Sequence, residues 1–220
     1  MSRVALINGG KGDLAQAIAH VLKEKGWGVI HTPGKDELDV RDEDGVRKYF
    51  GRIERLDLFI HNAGFIRDHA FLNLNCEDWD AVMAVHLRGG FLCVREALKI
   101  MMRQEEGGHV LLIGSNSARS GSFGQSNYAA AKAGLIGLGQ AIAREYGQRN
   151  VRCNVVLPGY LETKMNRHLR AEIVEAIRRQ HVLGRFTTIE ESARMIAALA
   201  ESQHISGQIF QLDSRINPWT

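Results

Sequence analysis

Residues 3–26 read "RVALINGGKGDLAQAIAHVLKEKG", and the three parts of that stretch follow different rules. Residues 3–8 are a short apolar run closed at once by glycines, the pattern of a buried strand. Residues 14–26 read as a helix that ends at Gly26. Between them lies a glycine-rich turn. Strand, glycine turn and helix form the opening unit of a sheet covered by helices on both faces.

The alternation continues along the chain. "WGVIHT" (27–32), "ELDV" (37–40), "LDLFIHNAG" (56–64), "GHVLLIGS" (108–115), "VRCNVVLPG" (151–159) and "GQIFQLD" (207–213) read as strands. Helices are predicted at 43–53, 77–102 (starting from Asn75 or Cys76), 127–148, 171–180 and 189–201. The strands are apolar throughout, as in a parallel sheet buried on both faces. With no repeat and no linker, the reading is an α/β chain: one doubly wound, Rossmann-type domain over residues 1–220. One connection is too short. Only Pro33–Glu37 separate "VIHT" from "LDV", whereas a crossover between parallel strands takes about a dozen residues. The second crossover helix is therefore missing, and either the loop crosses bare or "ELDV" is a marginal edge strand.

Composition excludes several classes. A net charge of +3 without basic clusters does not suggest nucleic acid. Cys76, Cys93 and Cys153 form no pair motif, and the nine His residues have no metal-ligand spacing, so no metal site and a reducing, cytoplasmic setting are expected. No apolar run suits a signal peptide or a membrane span.

Ligands of such sheets bind beyond the carboxyl ends of the strands. The first turn, "NGGKG" (8–12), offers glycines and a helix N-terminus to a pyrophosphate. "LDV" (38–40) and "HNAG" (61–64) lie at the same edge, the first suited to an adenine and the second to a flat ring and ribose. Tyr128 and Lys132, four apart in "SNYAAAKAGLIG", share one helix face. A cation there is expected to lower the phenol's pKa toward the working pH.

These pieces together resemble the short-chain dehydrogenase/reductase family over nearly the whole chain. The resemblance rests on the glycine turn, "LDV", "HNAG", "IGS" (113–115), "YAAAK" (128–132) and "LPGYLET" (157–163), with Ser115 thirteen residues before Tyr128. Within the family the chain is most similar to 3-oxoacyl-[acyl-carrier-protein] reductases. The resemblance implies an NAD(P)H-dependent ketoreductase acting on a 3-oxoacyl thioester or similar ketone. Tyr128 would be the acid, Lys132 its cation and ribose ligand, and Ser115 a hydrogen-bond donor to the carbonyl. Cofactor contacts would come from Gly9, Gly10, Lys11, Gly12 and Leu14; His31 and Thr32; Asp39 and Val40; Asn62, Ala63 and Gly64; and Pro158, Gly159, Leu161 and Thr163. NAD-dependent oxidation of a secondary alcohol, or a non-catalytic NADP(H)-binding partner subunit or sensor, stand as alternatives.

Three departures from the family pattern matter. "HLRGGF" places His86 where the family has an Asn, so His86 is expected to replace it in proton relay. Asp13 and Ala15 stand for the later glycines of the turn; Asp13 either weakens dinucleotide binding or caps the helix from Leu14. The end of the second strand lacks the acid that binds a 2′-hydroxyl. His31, Thr32, Lys35 and Lys11 favour a 2′-phosphate, hence NADPH. Residues 160–186 should form a small helical lid. Its basic residues Lys164, Arg167, Arg170, Arg178 and Arg179, or Arg149, are candidate contacts for an acidic acyl-carrier protein. Phe91, Val94 and Ala97 on one helix and Ala130, Ala133, Gly134 and Gly137 on another leave more than one buried face, which predicts a homodimer or homotetramer.

Overall fold

The computed structural model describes residues 2–167 and 169–216. The chain runs β1 (Val4–Ile7), α1 (Asp13–Glu24), β2 (Val29–His31), α2 (Glu43–Phe50), β3 (Leu58–His61), α3 (Cys76–Met83), α4 (Gly89–Met101), β4 (Gly108–Ile113), α5 (Ser117–Ser120), α6 (Ser126–Tyr146), β5 (Val151–Leu157), α7 (Ala171–Arg178), α8 (Ile189–Ala200) and β6 (Ile209–Gln211). The strands form one parallel sheet in the order β2-β1-β3-β4-β5-β6. The chain moves outward from β1 to β2, then returns to the other side of β1 at β3. That reversal opens a crevice at the carboxyl ends of β1 and β3.

The long helix predicted at 77–102 is one rod with an interruption. Asn75 caps α3 by accepting the Asp78 N–H at 2.7 Å. A π turn, Ala84–Arg88, then joins α3 to α4. Such wide turns occur often at functional sites.

The expected strand "ELDV" is absent, and β2 is the edge of the sheet. Segment 32–42 has neither strand nor helix. It turns on itself, with the Glu37 and Leu38 N–H groups donating to the Gly34 carbonyl. Leu38 and Val40 are buried in the core beside Val46, Phe50 and Leu92. Their alternation with polar neighbours imitates a strand, but it reflects two anchors holding a loop. With no third strand on that side, the chain needs no crossover helix there; α2 carries it from β2 to β3.

Side chains of the central strands alternate between two cores. Leu6, Phe59, Val110, Leu112 and Val155 face α2, α4 and α6, whereas Ile7, Ile60, Leu111, Ile113 and Val156 face α1 and α8. Each such large side chain contributes roughly 1.5–3 kcal/mol by leaving water. This two-sided burial fixes the strand ends, and with them the cleft, to one geometry.

Candidate active site

The strand ends open into a cleft of about 1130 Å³. Of the residues expected at the site, Gly9, Gly12, Leu14, Asn62, Gly64, His86, Ser115, Tyr128, Lys132, Pro158, Gly159, Leu161 and Thr163 line it. Gly10, Lys11, His31, Thr32, Asp39, Val40 and Ala63 do not.

At the first glycine turn, Gly9 has φ +65°, and a Cβ there would lie 2.7 Å from the Ala63 Cα. Only glycine lets the two turns approach so closely. Gly12 precedes α1 without a side-chain cap, so the helix N-terminus opens into the cleft. Backbone donors and a helix dipole there fit an anionic dinucleotide. Asp13 caps nothing. It is the first residue of α1, and its carboxylate accepts the Lys164 N–H at 3.1 Å. That contact ties the glycine turn to residue 164 at the opposite lip of the cleft.

The residues beyond the cleft have other contacts. The Gly10 N–H donates to the Pro33 carbonyl at 2.9 Å, which packs the first turn on the loop after β2. Lys11 is paired to Asp36 at 2.6 Å, both exposed. Asp39 is paired with Arg41. Val40 is buried, and a Cβ on Gly89 would sit 2.7 Å from it. As an element of the core, Val40 does not present itself to a ligand. The Ala63 N–H donates to the Asn8 side chain.

β4 delivers Ser115 and α6 delivers Tyr128 and Lys132. Asn127 fixes the start of α6: it is fully buried, accepts the Tyr128 N–H at 2.7 Å and donates to the Arg67 carbonyl at 3.0 Å. Tyr128 is partly exposed at the cleft wall. Its pKa does not fall as the sequence suggested; dense surroundings push it up to about 12, although a hydrogen bond with Ser115 opposes this. Desolvation of the phenolate is the largest cause of the rise, and the Asp68 carboxylate adds to it. Lys132 is buried and donates from Nζ to the Ile113 carbonyl at 2.6 Å. With no carboxylate partner among the described residues, it is itself pushed down to about 7 by burial. Its Nζ lies 5.6 Å from the centre of the Tyr128 ring.

His86 stands edge-on to Tyr128, with ring centres 5.1 Å apart. It is 1% exposed, and burial with the nearby Lys132 charge holds it well below the usual imidazole range. Its Nε2 lies 2.8 Å from the Phe65 carbonyl and 3.1 Å from the Phe65 N–H, and Nδ1 has no hydrogen-bond partner among the described residues. A Cβ on Gly64 would come within 2.3 Å of this ring. Beneath it lies a chain that sequence reading missed. Asn8 accepts the N–H groups of Asn62 and Ala63 and donates to His61 Nδ1, and His61 Nε2–H donates to the His86 carbonyl. The available signal was a polar residue closing each of two apolar strands.

Residues 164–167 form turns and α7 follows, across the cleft from Tyr128. Among the described residues no group of three or more His, Cys, Asp or Glu could hold a metal, and no helix is long and apolar enough to cross a membrane.

Comparison with known proteins agrees with this geometry. A family model described as enoyl-(acyl carrier protein) reductase matches residues 13–214. The 3-oxoacyl-[acyl-carrier-protein] reductase FabG of Aquifex aeolicus is 34% identical over 214 residues, covering 94% of this chain and 85% of that protein. The protein of the same name from Thermotoga maritima is 35% identical over 211 residues, covering 92% and 84%. Carbonyl reductase family member 4 of Xenopus laevis is 31% identical over 233 residues, covering 97% of each. With these likenesses, the parallel sheet and its cleft define an NAD(P)-dependent oxidoreductase of the ketoreductase type. The chain belongs to the short-chain dehydrogenase/reductase family.

Proposed function

We propose that this protein reduces the ketone of a 3-oxoacyl thioester to the hydroxy compound, with NADPH as electron donor. The convergence of Ser115, Tyr128 and Lys132 on one wall of the cleft carries this reading. The bound nicotinamide supplies the hydride, which no side chain can. The carbonyl oxygen sits against the hydroxyls of Ser115 and Tyr128. Ser115 hydrogen-bonds it, and Tyr128 gives up its proton as negative charge develops there. A phenol near 12 still does this, because the alkoxide being formed is far more basic. Lys132 stabilises the phenolate left behind, and with a pKa of about 7 it also holds an exchangeable proton. His86, in contact with the phenol ring, takes the place of the family Asn in restoring that proton.

The NADPH preference is supported by Lys11, Lys35, His31 and Thr32 around the end of β2. Asp36 competes with a 2′-phosphate for Lys11. Lys164, Arg167 and Arg170 have no ion pair among the described residues, whereas Arg178 and Arg179 are both held by Glu175. The first three are the better contacts for an acidic carrier. Phe91 is 45% exposed beside a groove lined by Val94, Leu98, Met102, Leu138 and Ile142, a surface for a second copy of the chain. A lid over 160–186, on a single domain spanning 1–220, completes the reading.

The test is NADPH consumption by the purified protein with 3-oxobutanoyl thioesters. Asp13 across the cofactor end supports one rival, a non-catalytic member of the family. Tight NADPH binding without turnover over a ketone panel would establish that rival.

A further inference from the structure

The cleft also holds a charge that the reduction does not use. Arg215 lines it together with Tyr160, Ile173, Ile177 and Gln180. Its side chain is 12% exposed, and that of its partner Asp213 is 1%. Asp213 Oδ2 accepts from Arg215 Nε at 2.8 Å and from Nη2; Oδ1 accepts from the Arg215 N–H at 3.0 Å and from Gln211 Nε2 at 2.6 Å. The backbone is fastened as well. His181 and Arg215 form an antiparallel bridge, and the Val182 N–H donates to the Ser214 carbonyl at 3.1 Å. Behind the pair, the fully buried His181 donates from Nδ1 to the Ile177 carbonyl, and its Nε2, without a hydrogen-bond partner among the described residues, lies 3.8 Å from Asp213 Oδ2. The guanidinium is thus held along its Nε–Nη2 edge, and Nη1 has no partner among the described residues.

A buried ion pair stabilises a fold poorly, because desolvating two charges offsets their attraction. An apolar side chain would close this wall of the cleft as well. A rigid guanidinium with one open edge suits something else, the directed recognition of a carboxylate or phosphate oxygen. Asp213 cancels the longer-range field of Arg215, so discrimination comes from the hydrogen bond rather than from attraction at a distance.

We propose that Arg215 is a specificity-determining residue: it binds an anionic oxygen of the substrate while the ketone lies at Ser115 and Tyr128. This rests on the ketoreductase reading. The anion has two possible sources, a carboxylate at the far end of the acyl chain or the phosphate of a pantetheine arm. Both present the same chemistry to Nη1.

Two matched substrate pairs separate the sources. The first is the N-acetylcysteamine 1-thioester of 3-oxohexanedioic acid against its 6-methyl ester. The second is 3-oxobutanoyl pantetheine 4′-phosphate against 3-oxobutanoyl pantetheine. In the wild type, one pair should show a preference of about tenfold or more in kcat/KM for its anionic member. In Arg215→Met that ratio should fall to near one, and Arg215→Lys should restore part of it. Since either variant can loosen the C-terminal segment, NADPH affinity and thermal unfolding are measured on each. The same ratios are also read as equilibrium dissociation constants on the NADP⁺-loaded protein by tryptophan fluorescence, where the ketone cannot be reduced. Ratios near one in the wild type for both pairs, or ratios that survive in Arg215→Met, overturn the proposal. Failure to reduce any neutral member, with anion-dependent binding intact, counts against the ketoreductase reading alone.

Discussion

His61 Nε2–H donates to the main-chain carbonyl of His86 across 3.0 Å, and both side chains are buried. Because Asn8 donates to the other ring nitrogen, the His61 imidazole is neutral with its proton on Nε2. The accepting carbonyl belongs to the π turn that sets the His86 ring on Tyr128. The end of β3 therefore positions the ring that packs on Tyr128. His61→Leu would remove the acceptor of Asn8 Nδ2 and the side-chain donor to the His86 carbonyl, each loss costing about 1–3 kcal/mol. Urea unfolding should show a loss of roughly that sum, with a smaller loss in His61→Asn. A His61→Leu protein as stable as wild type would sink this account.

His86 itself should matter to turnover more than to binding. We expect His86→Phe to lower kcat about tenfold, with little change in the KM for NADPH. Gly64→Ala should act in the same direction, since the added methyl meets the His86 ring. Normal turnover in His86→Phe would remove the relay role, whereas His86→Asn, which restores the family residue, should keep most of the activity.

Tyr128→Phe should reduce kcat by roughly 10²–10⁴-fold, the range for loss of a positioned acid. The pH dependence follows from Lys132. Its cation stabilises the phenolate below about pH 7 and is lost above it, so reduction should slow as pH rises through that value. In Lys132→Arg, charged throughout, the slowing should disappear from steady-state pH profiles.

Stability should fall in acid. His61 and His109 are pushed down to about 3 by burial, and His86 is also held well below its ordinary value. An unfolded histidine binds a proton below about 6.5, where these three do not. The stability is whole above that pH and is lost as pH falls toward 3, by up to about 1.4 kcal/mol per unit for each histidine. Lys132 adds the same sign at higher pH, since the unfolded chain holds its proton between about 7 and 10.5. Thermal melts from pH 4.5 to 9 should rise in midpoint, and His109→Gln should flatten the acid limb.

The Lys11–Asp36 pair sets a cofactor prediction. Both groups are exposed, so the pair is worth no more than about 1 kcal/mol. Asp36→Asn should free Lys11 and tighten NADPH about two- to fivefold, leaving NADH little changed. Fluorescence titration with both cofactors checks this; equal gains for NADH would show that Lys11 does not meet a 2′-phosphate.

Much was written in local order. The run from Arg3 to Gly26 announces strand, turn and helix because periodicity and glycine chemistry act over neighbouring residues. Tyr128 and Lys132 share a face because helical geometry alone puts them there, and the spacing from Ser115 marks the same site. What packs around a residue is not local, and tertiary structure decided it. Leu38 and Val40 have a strand's alternation, yet they anchor a loop, because pairing needs a neighbouring edge that the sequence does not display. Tyr128 has a cation one turn away, yet its pKa rises, because desolvation of the phenolate and the Asp68 carboxylate outweigh the Ser115 hydrogen bond. Asp13 reaches residue 164, His61 holds His86, and Arg215 returns to the cleft beside Tyr160, all across distances that only the folded sheet closes. The sequence by itself determined most of the elements and brought Ser115, Tyr128 and Lys132 forward as candidates, because those signals are local; desolvation and long-range contact determined how the groups are tuned.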